Sequence, residues 1–115
     1  MKVIYLPEYD ENKKFIEYEV NKNNLDFNDG DLSFNVAKKE RDYEVVIDIC
    51  EDYTGGLVMG ANTGDKYIAQ VVIPARQYTE VETEESEDSE GTGKKSVPVP
   101  FNIEKCELRL WEMED

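Results

Sequence analysis

Among residues able to do chemistry, the chain offers acids in abundance and few of their usual companions. It has 27 Asp and Glu, two cysteines and no histidine. A closed zinc site takes four Cys, His or carboxylate ligands, so Cys50 and Cys106 would have to meet and recruit two carboxylates as well. Without histidine the usual base for a Ser or Cys nucleophile is missing, and no Gly-x-Ser-x-Gly elbow occurs. Carboxylate pairs can hydrolyse glycosides, but among this many acids some pair falls at a suitable spacing through abundance alone. The expectation is a protein that is no enzyme and holds no cofactor, metal or small-molecule substrate.

Two local motifs approach a binding loop and miss. Gly60-Ala61-Asn62-Thr63-Gly64-Asp65-Lys66-Tyr67 has the look of a phosphate loop, but only three residues separate its glycines. Asp65 also splits Gly64 from Lys66, and Tyr67 stands where the magnesium-binding Ser or Thr belongs. A tight hairpin connection accounts for it better. Asp26-Phe27-Asn28-Asp29-Gly30-Asp31 resembles the opening of a calcium loop, which needs glycine at its sixth place and glutamate at its twelfth. Counted from Asp26, Gly30 is fifth and Ala37 twelfth, so the spacing fails. An Asx-rich turn is expected, with weak calcium binding of a looser kind as the other reading.

The residues with most to say are charged and aromatic. From Glu80 to Gly93 the chain contains seven acids and almost nothing to bury. As a solvated tip this run would aid solubility and block edge-to-edge sheet pairing. As a contact it would enter a basic groove through Glu80, Glu82, Glu84, Glu85, Glu87, Asp88 and Glu90. Extended, Glu80, Glu82 and Glu84 present one charge per ~6.8 Å on one face. A DNA strand carries one per ~3.4 Å, so mimicry of a nucleic acid needs a second acidic strand alongside. Near the end of the chain, Trp111 and Met113 fall opposite Leu108 and Leu110. A second core layer is the favoured expectation for them; an outward Trp111 beside Arg109, as a partner anchor, is the other.

The elements that must position these residues read mostly as strands. Lys2 to Leu6 is short, apolar and closed by Pro7. Phe15 to Val20 alternates, with Ile16, Tyr18 and Val20 on one face and Glu17 and Glu19 on the other. Asn21 to Gly30, dense in Asn and Asp, predicts a loop or irregular edge. Leu32, Phe34 and Val36 alternate again, and Ala37 to Asp42 suits one helical turn or a loop. Tyr43, Val45, Ile47 and Ile49 keep strict period two. A turn at Glu51 to Gly56 leads to a short strand at Leu57 to Ala61. The longest run, Lys66 to about Glu82, starts apolar on both faces, which predicts a central strand covered on each side. Pro74 must bulge it or put it at an edge. Val97 to Phe101 is extended. Cys106, Leu108 and Leu110 alternate with Glu107, Arg109 and Trp111, favouring a strand over a helix from Ile103 to Met113.

These elements predict one domain, 1–115, built as an antiparallel β-sandwich or partly open barrel of about seven to nine strands, with 80–96 as a protruding acidic hairpin loop. The apolar opening Met1 to Leu6 is too short for a signal peptide, and two widely spaced cysteines suit free thiols in a reducing compartment. A soluble protein, cytoplasmic where it is made, is expected. Its net charge of −14 repels nucleic acid and anionic lipid, leaving a protein partner or self-assembly. The leading expectation is a non-catalytic interaction or structural module of a larger assembly, such as a phage or virion accessory protein. The alternative is an acidic inhibitor that occupies the basic groove of a nucleic-acid enzyme.

Overall fold

The computed structural model describes residues 1–6, 8–52, 54–60, 66–83 and 93–113, the side chains of 82, 83, 93 and 94 excepted. Among these residues there are ten strands, two short 3-10 turns and no α-helix. The strands are β1 (Lys2–Leu6), β2 (Tyr18–Asn21), β3 (Asn24–Phe27), β4 (Leu32–Asn35), β5 (Val45–Glu51), β6 (Leu57–Met59), β7 (Lys66–Ile73), β8 (Tyr78–Thr83), β9 (Gly93–Pro98) and β10 (Glu107–Trp111). They form a five-stranded sheet in the order β1-β10-β7-β5-β6, a three-stranded sheet β2-β3-β4 and a two-stranded ladder β8-β9. None of the three closes into a barrel.

Alternation decides which side of each sheet meets the core. In the three-stranded sheet, Tyr18 lies opposite Phe27 and Val20 opposite Leu25, and these face Leu32 and Phe34 on β4. All six share one side. They join a single core cluster with Ile49, Ala69, Val71, Ile73, Leu108 and Leu110 of the five-stranded sheet. Phe27, Leu25, Ile73 and Leu108 are each fully buried. Removing such side chains from water is the main favourable term available to a chain this polar.

Four expectations need correcting. The Asn21 to Gly30 segment contains a strand, β3, at the centre of its sheet, because Leu25 and Phe27 alternate with Asn24 and Asp26 and so face one way. The main sheet is mixed, since β1 runs parallel to β10 while the other pairings in it are antiparallel. The long run from Lys66 breaks at Pro74, which has no N–H for a ladder, into β7 and a separate β8. Finally, β7 is central but buried on one side only: Ile68, Ala69, Val71 and Ile73 are buried, whereas Gln70 and Val72 are partly exposed. Both Ile68 and Ala69 turn inward because the register with β5 shifts between Ile49 and Cys50.

The turns follow the local chemistry. Gly30 N–H donates to Asp26 Oδ1 at 2.8 Å, and Asn28, Asp29 and Gly30 have φ of 54°, 56° and 99°. This is the Asx-rich turn expected there, built from residues that tolerate the left-handed region. Between β5 and β6, Asp52 Oδ1 accepts from Thr54 N–H, Thr54 Oγ1 and Gly56 N–H at 2.9, 2.5 and 3.0 Å. Those bonds hold the Asp52 carboxyl below its ordinary pKa, the hydroxyl of Thr54 contributing most. The strand expected at Cys106 onward forms, led in by a 3-10 turn at Ile103–Lys105 with Asn102 as its cap. Cys50 and Cys106 are both buried and in no disulfide. Among the described residues no helix is long and apolar enough to cross a membrane.

The ladder β8-β9 pairs with neither sheet. Its register runs from Tyr78 opposite Pro98 to Thr83 opposite Gly93. The molecule measures 68 × 28 × 23 Å along its principal axes, with a radius of gyration of 19.2 Å.

Candidate interaction surfaces

The base of the ladder is fixed by a cluster that joins it to the segment before β5. Arg76 Nε donates to Glu40 Oε1 at 3.2 Å, its Nη2 to the Glu40 carbonyl at 3.2 Å, and its Nη1 to Asp42 Oδ1 at 3.4 Å. Tyr78 Oη donates to the same Asp42 oxygen at 2.5 Å, and Arg76 N–H to the Arg41 carbonyl at 2.7 Å. Tyr78, Glu40 and the charge of Asp42 raise the Arg76 pKa above its already high ordinary value. On the other strand, Val99 N–H donates to the Gln77 carbonyl at 2.8 Å. Sequence reading had not marked Arg76, Glu40 or Asp42, since nothing local signals a contact across more than thirty residues.

Beyond that base the acidic candidates divide. Glu80 is exposed on β8, opposite Ser96. Glu82 lies two residues on in the same strand, opposite Lys94. Glu84, Glu85, Glu87, Asp88 and Glu90 lie outside the described residues, as does most of the glycine-rich stretch at 60–67. Tyr78 and Val81 are 49% and 39% exposed, so apolar surface on both faces of the ladder meets solvent.

Arg109 and Trp111 sit on the side of the main sheet away from the core. Ile4, Arg109, Gln70 and Asp48 form one row across four strands. Within it Arg109 Nε donates to Glu107 Oε2 at 2.6 Å and Nη1 to Gln70 Oε1 at 2.9 Å, and Gln70 Nε2 donates to Asp48 Oδ1 at 2.8 Å. Trp111 is half-buried against Tyr67, ring centres 6.3 Å apart. It lies outside the core cluster, whereas Met113 packs onto that cluster after the chain leaves β10. Met113, bridged to Lys14, thus joins the same core as Leu108 and Leu110, not a second layer opposite them.

Three further surfaces were not foreseen. Tyr5 packs edge-on against Phe15 at 4.8 Å and Tyr9 at 5.0 Å, beside Tyr18, whose hydroxyl pKa is raised by burial and by Tyr5. Glu17, Glu19, Asp26 and Asp29 line a shallow groove on the solvent side of the three-stranded sheet. Lys39, Arg41, Tyr43, Val45, Ile47 and Met59 line another, of about 270 Å³, at the β5-β6 margin. The charge pattern Lys38-Lys39-Glu40-Arg41 was the available hint for the last, a basic cluster in an acidic chain.

No family model, no curated protein and no solved structure matches this chain.

Proposed function

We propose that the protein is a non-catalytic interaction or structural module of a larger protein assembly, of the kind that accessory proteins of phage particles provide. The observation that carries this reading is the ladder β8-β9, which pairs with neither sheet in a molecule 68 Å long. A compact chain of this length would have a radius of gyration of about 13 Å, against 19.2 Å here. Strands of at most eight residues span only about 27 Å, so the extra length fits an arm leaving a two-layer, sandwich-like body. A lone two-stranded ribbon is marginal in water, and a neighbour covering Tyr78 and Val81 would supply the missing burial. Limited proteolysis tests this: the arm should be cut within 84–92 in the isolated protein and protected in the assembly. An arm fully protected in the free monomer would count against it.

A second reading, an acidic inhibitor in the basic groove of a nucleic-acid enzyme, rests on the other face. Glu19 lies directly opposite Asp26, with Glu17 and Asp29 in the same groove. This supplies the paired acidic strands that charge mimicry requires, although like charges facing each other cost stability. Binding to a basic partner that falls steeply with salt and disappears in a Glu19→Gln, Asp26→Asn variant would favour it. Binding indifferent to both changes would end it.

A further inference from the structure

The groove at the β5-β6 margin is cationic on a chain with 27 acidic and 13 basic residues. Its apolar floor is Val45 and Ile47, with Tyr43 65% and Met59 38% exposed at its rim. The acids beside it in sequence are engaged elsewhere: Glu40 and Asp42 bond Arg76, and Asp42 also accepts from Tyr78. Glu44 precedes β5 and is not among the residues that line the groove. Arg41 is held at the rim by bonds from Nη1 to the Lys38 and Glu40 carbonyls, at 3.0 and 2.8 Å. A guanidinium and an ammonium over an apolar floor attract carboxylates more strongly than the same charges in open water.

We infer that this groove receives the acidic segment 84–90 of a second copy of the chain. That segment, Glu-Glu-Ser-Glu-Asp-Ser-Glu, contains five acids and no base. The inference rests on the assembly reading above and names its partner. Within one chain, Tyr78 and Arg76 fix the ladder's base beside Arg41 and Asp42. From there the five steps to Thr83 carry the chain about 17 Å away. The cationic groove and the acidic segment are different parts of one chain, so two copies that exchange them reciprocally close a two-fold dimer, and copies that pass them on in one direction form a ring or an open filament.

Light scattering on the full chain, with charge reversal on each side, tests the pairing. At low salt the wild type should show a mass at least twice the 13.3 kDa of one chain. It should return to one chain's mass near 1 M salt, where the screening length falls to ~3 Å. Lys39→Glu with Arg41→Glu should give a monomer, and so should Glu84→Lys, Glu85→Lys, Glu87→Lys, Asp88→Lys and Glu90→Lys together. Mixing the two reversed variants should restore association, since each then complements the other; this also shows that both have folded. Wild type that stays monomeric at low salt overturns the inference and leaves the assembly reading to a foreign partner. Association unaffected by either reversal overturns the groove contact while keeping self-assembly. Two monomeric variants that fail to associate on mixing also overturn it.

Discussion

Arg76 grips Glu40 through two bonds at once, side chain to side chain and side chain to carbonyl, both at 3.2 Å. The residue that introduces the ladder is thereby tied to the residue that follows the 3-10 turn at Val36–Lys39. This junction helps to set the direction in which the ladder leaves the body, since among the described residues the ladder pairs with neither sheet.

Replacing Arg76 by Ala should therefore loosen the ladder without unfolding the core. Amide exchange should quicken at Arg76 and Val99, whose N–H groups bond Arg41 and Gln77, while the amides of β7 and β10 keep their protection. Arg76→Lys should fall between, because it keeps the charge and loses the planar fork.

Phe27→Ala should be among the most costly single changes, at about 3–5 kcal/mol in denaturant unfolding, because it empties a fully buried site between the two sheets. A loss below ~1 kcal/mol would mean that β3 is not a core strand.

Asp52 gives a pH-dependent contribution of known sign. Its folded pKa lies below the ordinary value of 3.8, so its stabilising bonds are present above that pH. They are lost as the pH falls through the depressed folded value. The Tm gap between wild type and Asp52→Ala should be open at neutral pH and close in acid. A gap independent of pH would show that the carboxylate charge is not what holds the turn.

Cys106 works in the opposite direction. Burial pushes its thiol up to about 11 from 9.0, opposed by the N-terminal ammonium and assisted by Glu40. The unfolded chain releases this proton first, so stability is whole below pH 9 and falls between there and the folded value. Cys106→Ala should flatten that alkaline decline, and native Cys106 should resist alkylation at pH 8 until the protein unfolds.

How much of this could be read beforehand depended on the range of the forces involved. Strict alternation at Ile16 to Val20, Val45 to Ile49 and Cys106 to Leu110 is local and matches the buried side, whereas Tyr43, at the head of the second run, lies before β5 and is 65% exposed. The Asx turns were legible for the same reason. At Leu25 and Phe27 only two apolar residues sit among Asn and Asp, and nothing near them announces that Tyr18, Val20 and Phe34 will close over them. The parallel pairing of β1 with β10 and the grip of Arg76 on Glu40 and Asp42 join distant segments, so no window of sequence contains both halves. Among the candidate contacts, Glu80 and Glu82 lie on β8. The cationic groove has one local sign, the basic run Lys38 to Arg41, but Met59 joins it only once β5 and β6 pair.

The parallel pair β1-β10 also sets an order of events during synthesis. In its sheet β1 has one neighbour, β10, and the register joins Lys2 to Glu107 and Leu6 to Trp111. During synthesis β1 must therefore wait, unpaired in this sheet, until β10, roughly a hundred residues later, has been made. Contacts of such long separation make folding slow. For that interval the apolar stretch Val3 to Leu6 is an open edge that the growing chain, or a chaperone, has to keep from pairing elsewhere.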